Sequence, residues 1–239
     1  RPGDWESYNN LGSLYFWTGR FSDAAEQFQY VIDLGQANHV VYTNLGAASM
    51  LSGDFDKSIM AYQAALELES QNETYSNLGM AYYYTERLDE AIDAHRKAVE
   101  LSPDNHLAWS NLGDALWVVG REDEARVAFE YARDRAASGL EINPDDAFLL
   151  MDTAWIQTML GEAHAAREAI SRAHELSDDP YIYYIEGLML LREGNVDGAI
   201  RTLEDAVERG HSVTMMAAEP HLADLRDNED FRKLIGKSQ

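Results

Sequence analysis

The 239-residue chain has no cysteine. That removes disulfide frameworks and thiolate chemistry, and leaves the compartment open between cytoplasm and periplasm. Proline is scarce, at five residues. Runs of Val, Ile and Thr are few, and the abundance of Ala, Leu and Glu favours helix over sheet. No window approaches the roughly 18 consecutive apolar residues of a membrane span, and no signal-peptide pattern opens the chain. The first residue is Arg1 rather than Met, which reads as a fragment or a processed form. Basic residues are also short: 19 Lys and Arg stand against 42 Asp and Glu, a formal net charge of −23. That balance opposes binding to nucleic acid, whose affinity comes from phosphate neutralisation. It equally opposes anionic membrane surfaces, and it steers neutral or basic partners toward the chain.

What the chain does contain is a repeat. Asn-Leu-Gly occurs at Asn10-Leu11-Gly12, Asn44-Leu45-Gly46, Asn77-Leu78-Gly79 and Asn111-Leu112-Gly113, and the glycines fall 34, 33 and 34 residues apart. Around each motif apolar residues recur at helical spacing, as in Leu78, Ala81 and Tyr82. A break follows: "WTGRFSDAA", "LSGDFDKSI", "YTERLDEAI", "VVGREDEAR", "MLGEAHAAR" and "REGNVDGAI". Glycine there suits a left-handed helix end, and acidic or hydroxyl side chains suit the start of the next helix. Pro103, Pro144 and Pro180 lie between units, where a helix should stop.

A period of about 34 residues, each unit made of two helices, is a solenoid signature. In its residues the repeat resembles the tetratricopeptide repeat (TPR) family. The third unit carries Tyr75, Leu78-Gly79, Tyr82, Ala91, Ala98 and Pro103 at the family's positions; the fourth carries Trp109, Leu112-Gly113, Gly120, Ala125, Phe129 and Ala132. The resemblance implies an all-α, right-handed α-solenoid of about six helix pairs. The expected units are 5–38, 39–71, 72–105, 106–146, 147–179 and 180–212, so that the solenoid spans 1–212. The fifth is degenerate, with Thr153-Ala154 in place of Leu-Gly. The repeat glycines are expected to face Ala24, Ala91, Ala125 and Ala199 of the second helix, and Ser58 in the second unit.

Two segments depart from the pattern. The fourth unit is seven residues too long, within "YARDRAASGLEINPDD". Seven residues are about two helical turns, so the second helix should lengthen rather than loop out, with Gly139 as the residue that opposes it. Residues 213–239 show no repeat. Pro220 and Asp227-Asn228 divide this tail into two expected helical pieces, and Leu222, Leu225, Phe231, Leu234 and Ile235 give it an apolar face suited to capping the last unit. The tail is similar to those that close TPR regions of bacterial multidomain regulators. The absence of a comparable cap before Trp5 agrees with something lying upstream.

No catalytic constellation is visible: no HExxH, phosphate loop or nucleophile elbow. The seven histidines are scattered without zinc-site spacing. His95 takes the aromatic position of its second helix and reads as a core residue. "DLRDNED" lacks the glycine and terminal glutamate of a calcium loop and suits helix capping. No enzyme, cofactor or metal is implied.

A surface remains. In TPR folds the first helix of each pair, helix A, lines the concave side through its second, fifth, sixth, ninth, twelfth and thirteenth positions. Asn10, Asn44, Asn77 and Asn111 occupy the sixth. An amide donates and accepts, so the row could pair with the backbone of an extended peptide; asparagine is also a family habit at this site. The row stops at Asp152 and Ile185. Phe16, Trp17, Leu51, Tyr83, Tyr84, Trp117 and Val118 fill the twelfth and thirteenth positions, with Met50 and Met159 beside them and Tyr181 and Tyr184 extending the surface. Such a strip exceeds what a monomer usually exposes. Three coverings are open: a partner segment in the groove, a homo-oligomer, or burial under a neighbouring helix or the tail. The fifth positions, Asn9, Thr43, Ser76 and Ser110, lack the cations that chaperone-tail clamps use. The expected partner is therefore a protein or peptide, apolar or mildly basic, bound by a scaffold or regulatory module; the alternative is a self-association element that dimerises a parent regulator.

Overall fold

The structure is a computed structural model, and it describes residues 5–236. Among them there is no strand. Helices alternate as A and B partners. In chain order they are α1 (Trp5–Trp17) and α2 (Phe21–Asp33), α3 (His39–Leu51) and α4 (Phe55–Leu68), α5 (Asn72–Tyr84) and α6 (Leu88–Leu101), α7 (His106–Val118) and α8 (Glu122–Ile142), α9 (Ala147–Leu160) and α10 (Ala163–Leu176), and α11 (Pro180–Arg192) and α12 (Val196–Glu208). The chain forms two compact units, Arg1–Ser102 and Pro103–Gln239. In the first, three pairs stack in sequence. In the second, α7 to α10 stack the same way, while α11 meets α9 more than α10.

The A-to-B turns follow from backbone stereochemistry. Gly19, Gly53, Gly120, Gly161 and Gly194 all adopt φ between +75° and +85°, a region that costs other residues a Cβ clash. The third unit breaks the rule, with Glu86 at φ +57°. Short polar side chains begin several helices: Asn38, Asp54, Asn105, Asp146, Asp179 and Asn195 each accept a hydrogen bond from a first-turn N–H.

For the glycines of Asn-Leu-Gly the nearest neighbour is a ring rather than the alanine expected to face them, whereas a Cβ on Gly187 would meet the Ala199 carbonyl at 3.5 Å, beyond Leu203 at 2.7 Å. A Cβ on Gly12 would lie 2.9 Å from the Phe28 ring, on Gly46 2.6 Å from Tyr62, and on Gly113 2.8 Å from Phe129. The glycine makes room for a bulky ring one turn further along helix B than the alanine. The alanines are buried spacers beside it. In the third unit the ring is His95, fully buried against Gly79 with neither nitrogen hydrogen-bonded. Burial without a partner pushes its pKa down to about 3.

The extension of the fourth unit is helical: α8 has 21 residues where the other B helices have 13 or 14. Gly139 is tolerated mid-helix because it lets α9 approach. A Cβ there would stand 2.6 Å from Leu149. The tail forms three pieces rather than the expected two: α13 (Val213–Ala218), a 3-10 helix (Pro220–Leu225) and α14 (Glu229–Ile235). Pro220 starts a piece instead of merely separating two, because its missing N–H and fixed φ suit a helix's first turn. Asn228 in "DLRDNED" caps α14 by accepting from the N–H of Asp230 and Phe231. Met216, Leu222, Leu225, Phe231 and Leu234 are at most 3% exposed and share one core with α9 to α12.

Candidate protein-binding surface

On the first unit the candidate residues sit at one register of α1, α3 and α5. Side chains at positions 6, 9 and 13 of a helix share a face at 3.6 residues per turn, so Asn10 lies with Trp17, Asn44 with Leu51 and Asn77 with Tyr84. Asn10 is exposed, and Asn44 and Asn77 are half-buried. No hydrogen bond joins the side-chain amide of any of the three to a described residue. Each therefore keeps its donors and acceptor for another molecule. Trp17 is 84% exposed, with Phe16 packed edge-on to it at 6.1 Å and to Phe21 at 5.6 Å. Leu51 is half-buried, and the Tyr84 ring stacks on Phe55 at 5.8 Å. Tyr83 lies elsewhere than its register suggested: it is 3% exposed, supports Tyr84 edge-on, and has no surface to offer a ligand. Its position, one residue before Tyr84, turns it toward the neighbouring helices.

On the second unit the same face is covered. His221, from the 3-10 helix, stacks on Trp117 (ring centroids 5.0 Å, interplanar angle 26°) and meets Trp155 edge-on at 4.9 Å. Its Nε2 lies 3.2 Å from Asp114 Oδ1, which also accepts the Trp155 indole N–H at 3.0 Å. The Arg192 guanidinium lies 4.3 Å from the Trp117 ring centroid. Tyr184 is buried: its hydroxyl donates to Glu219 at 2.7 Å and its ring stacks on His211 at 4.2 Å. Of the residues expected here, Asn111 and Val118 are half-buried on α7 and Trp117 is taken by the tail. Asp152, at the sixth position of α9, is engaged by His106 at 3.0 Å.

Several opposing effects set the charge of His221. Burial disfavours the imidazolium; the hydrogen bond and charge of Asp114, helped by Glu219, favour it; Arg192 opposes it. The net shift is upward. Trp155 and Asp114 hold ninth positions of their helices, so the repeat register could have flagged them. Nothing in "EPHL" foretold that His221 would be their occupant. Among the described residues no group of three or more His, Asp or Glu side chains could hold a metal ion, and no helix is long and apolar enough to cross a membrane.

Sequence profiles of the tetratricopeptide repeat match residues 6–37, 39–72, 73–105, 106–130 and 143–212. The chain belongs to the TPR family. Among curated proteins it is similar to the BBSome complex member BBS4 of Mus musculus and of Bos taurus, each 35% identical over 69 residues. That is 29% of this chain, and the match spans only 13% of either BBS4 protein. Among solved structures, the APC/C hetero-tetramer Cut9–Hcn1 aligns over 91% of this chain and 42% of that one, at 17% identity and a TM-score of 0.63. The thermophilic TPR protein TTC0263 of Thermus thermophilus aligns over 74% and 95%, at 19% identity and a TM-score of 0.56. PilF of Pseudomonas aeruginosa aligns over 90% and 97%, at 16% identity and a TM-score of 0.55. These likenesses concern the fold, a TPR solenoid. Its membership of the TPR family makes the chain a protein–protein interaction module.

Proposed function

We propose that the A-helix face of the first unit binds an extended protein segment, apolar or mildly basic, and that the chain is the non-enzymatic scaffold or regulatory part of a larger protein. The observation that carries this is the coincidence on one face of three free amides, Asn10, Asn44 and Asn77, with Trp17 at 84% exposure. Amides spaced along successive A helices offer paired donors and acceptors to a peptide backbone whatever its side chains. The aromatic strip then chooses among side chains. Membership of assemblies by similar proteins, the BBSome and the APC/C hetero-tetramer, is in keeping with a scaffold.

A displayed peptide library tests the reading. Asn44→Ala with Asn77→Ala removes backbone hydrogen bonds worth about 0.5–1.5 kcal/mol each, so every selected peptide should weaken by a similar factor. Trp17→Ala should instead change which peptides are selected, with losses of about 2 kcal/mol for those that use the indole. Full-strength binding by the double variant would reduce the asparagines to family habit. A melting temperature far below the parent's would make them folding residues. Self-association is the competing use of Trp17, and it predicts a dimeric mass by light scattering that Trp17→Ala returns to a monomer.

A further inference from the structure

The A-helix face of the second unit shows what kind of side chain it accepts, because the chain's own tail fills it. Asp114, Trp117, Trp155 and Tyr184 stand at register positions that the TPR fold turns to its ligand side, and all four touch the tail. Their arrangement is that of a receptor site. Two indoles bound a slot, and a single carboxylate oxygen at its floor accepts both the Trp155 N–H and the imidazole of His221. Indole faces and a carboxylate together favour a planar cation. Glu219 holds the incoming segment in shape, accepting the His221 backbone N–H at 3.1 Å on one oxygen and the Tyr184 hydroxyl on the other. Next to His221, Leu222 is buried in the core.

We propose that Glu219–Leu225 is a built-in ligand of this face, and that Asp114, Trp117 and Trp155 form a recognition site for a protein segment presenting an imidazole or another flat cation beside a leucine. A tethered ligand acts at high effective concentration, so the face is closed to partners that cannot outcompete it. The site tightens when the imidazole is protonated: its Nε2 contact with Asp114 of α7 becomes charge-assisted. Asp114 with Glu219 of the tail then outweighs both the burial of the ring, whose Nδ1 has no hydrogen-bond partner among the described residues, and the charge of Arg192 on α11. Raising the pH through the deprotonation of His221 loosens it.

His221→Ala leaves Leu222, Leu225, Phe231 and Leu234 to hold the tail and opens a slot over Asp114. The probe is 4-methylimidazole, with toluene as a partner of similar shape and no charge. A charge-assisted contact should make 4-methylimidazole bind the His221→Ala chain about tenfold or more tighter than toluene, raise its melting temperature by mass action, and lose both effects when Asp114→Asn is added. Equal action of toluene, or no rescue by either probe, would show that the slot is ordinary core and overturn the proposal. If His221→Ala does not fold, NMR titration of the His221 ring in the unaltered chain decides. A ring that deprotonates above the usual histidine range, and that loses this shift in Asp114→Asn, supports the site; a ring that titrates as a free histidine does in both overturns it. Either failure leaves the proposed use of the first unit untouched, because none of these residues belongs to it.

Discussion

At the scale of single residues, the repeat is a set of matched volumes. Gly12 with Phe28, Gly46 with Tyr62 and Gly113 with Phe129 pair an absent side chain with a large ring. His95 against Gly79 is the exception in chemistry though not in shape. The unfolded chain carries a histidine of ordinary pKa, about 6.5, while burial holds His95 near 3 in the folded chain. Between those values the unfolded state binds the extra proton. The stability conferred by a neutral buried His95 is therefore complete above pH about 6.5 and falls as the pH drops toward 3, with a slope of up to about 1.4 kcal/mol per unit. His95→Phe restores the ring used in the first and fourth units and removes that proton uptake. Its melting temperature should exceed the parent's by more at pH 5 than at pH 7.5. A constant difference between the two pH values would mean that His95 takes no part in acid sensitivity.

At the scale of elements, the tail does two jobs at once. Its apolar residues close the core shared with α9 to α12, and its 3-10 helix occupies the A-helix face. Capping is what a solenoid end requires, since each repeat otherwise exposes a stacking surface. Met216, Leu222, Leu225, Phe231 and Leu234 are buried, and burial of such side chains is worth roughly 1.5–3 kcal/mol apiece. A chain ending at residue 212 should accordingly melt well below the parent and aggregate. An unaltered melting curve together with a monodisperse product would refute the capping role. α8 illustrates a local rule overruled by packing: Gly139 weakens a helix in isolation, yet the helix runs through it because a larger residue would collide with Leu149.

At the scale of the molecule, a formal net charge of −23 acts on association more than on fold. A basic segment should be drawn in at a rate that falls steeply as salt shortens the Debye length from about 10 Å at 0.1 M to about 3 Å at 1 M. Stopped-flow measurements with a library-selected basic peptide would show this as a falling on-rate with a nearly constant off-rate. An on-rate indifferent to salt would confine the acidity to solubility.

The sequence by itself determined the helix pairs. Their starts and ends are written in local chemistry: Asn-Leu-Gly every 33 or 34 residues, glycines that take positive φ, and prolines between units. It determined the lengthened α8 as well, because adding about two turns keeps the helix in phase. Half of the candidate surface was legible on the same ground, since register alone aligns Asn10, Asn44 and Asn77 with Trp17, Leu51 and Tyr84. Only the tertiary structure decided which of those positions are open. Tyr83 and Tyr184 hold register positions expected to face a ligand, yet both are buried, and Trp117 lies beneath a histidine more than 100 residues later in the chain. Contacts of that range leave no periodic trace. A repeat says which way a side chain points, and the burial of the tail's leucines and Phe231 fixes what comes to lie on top of it.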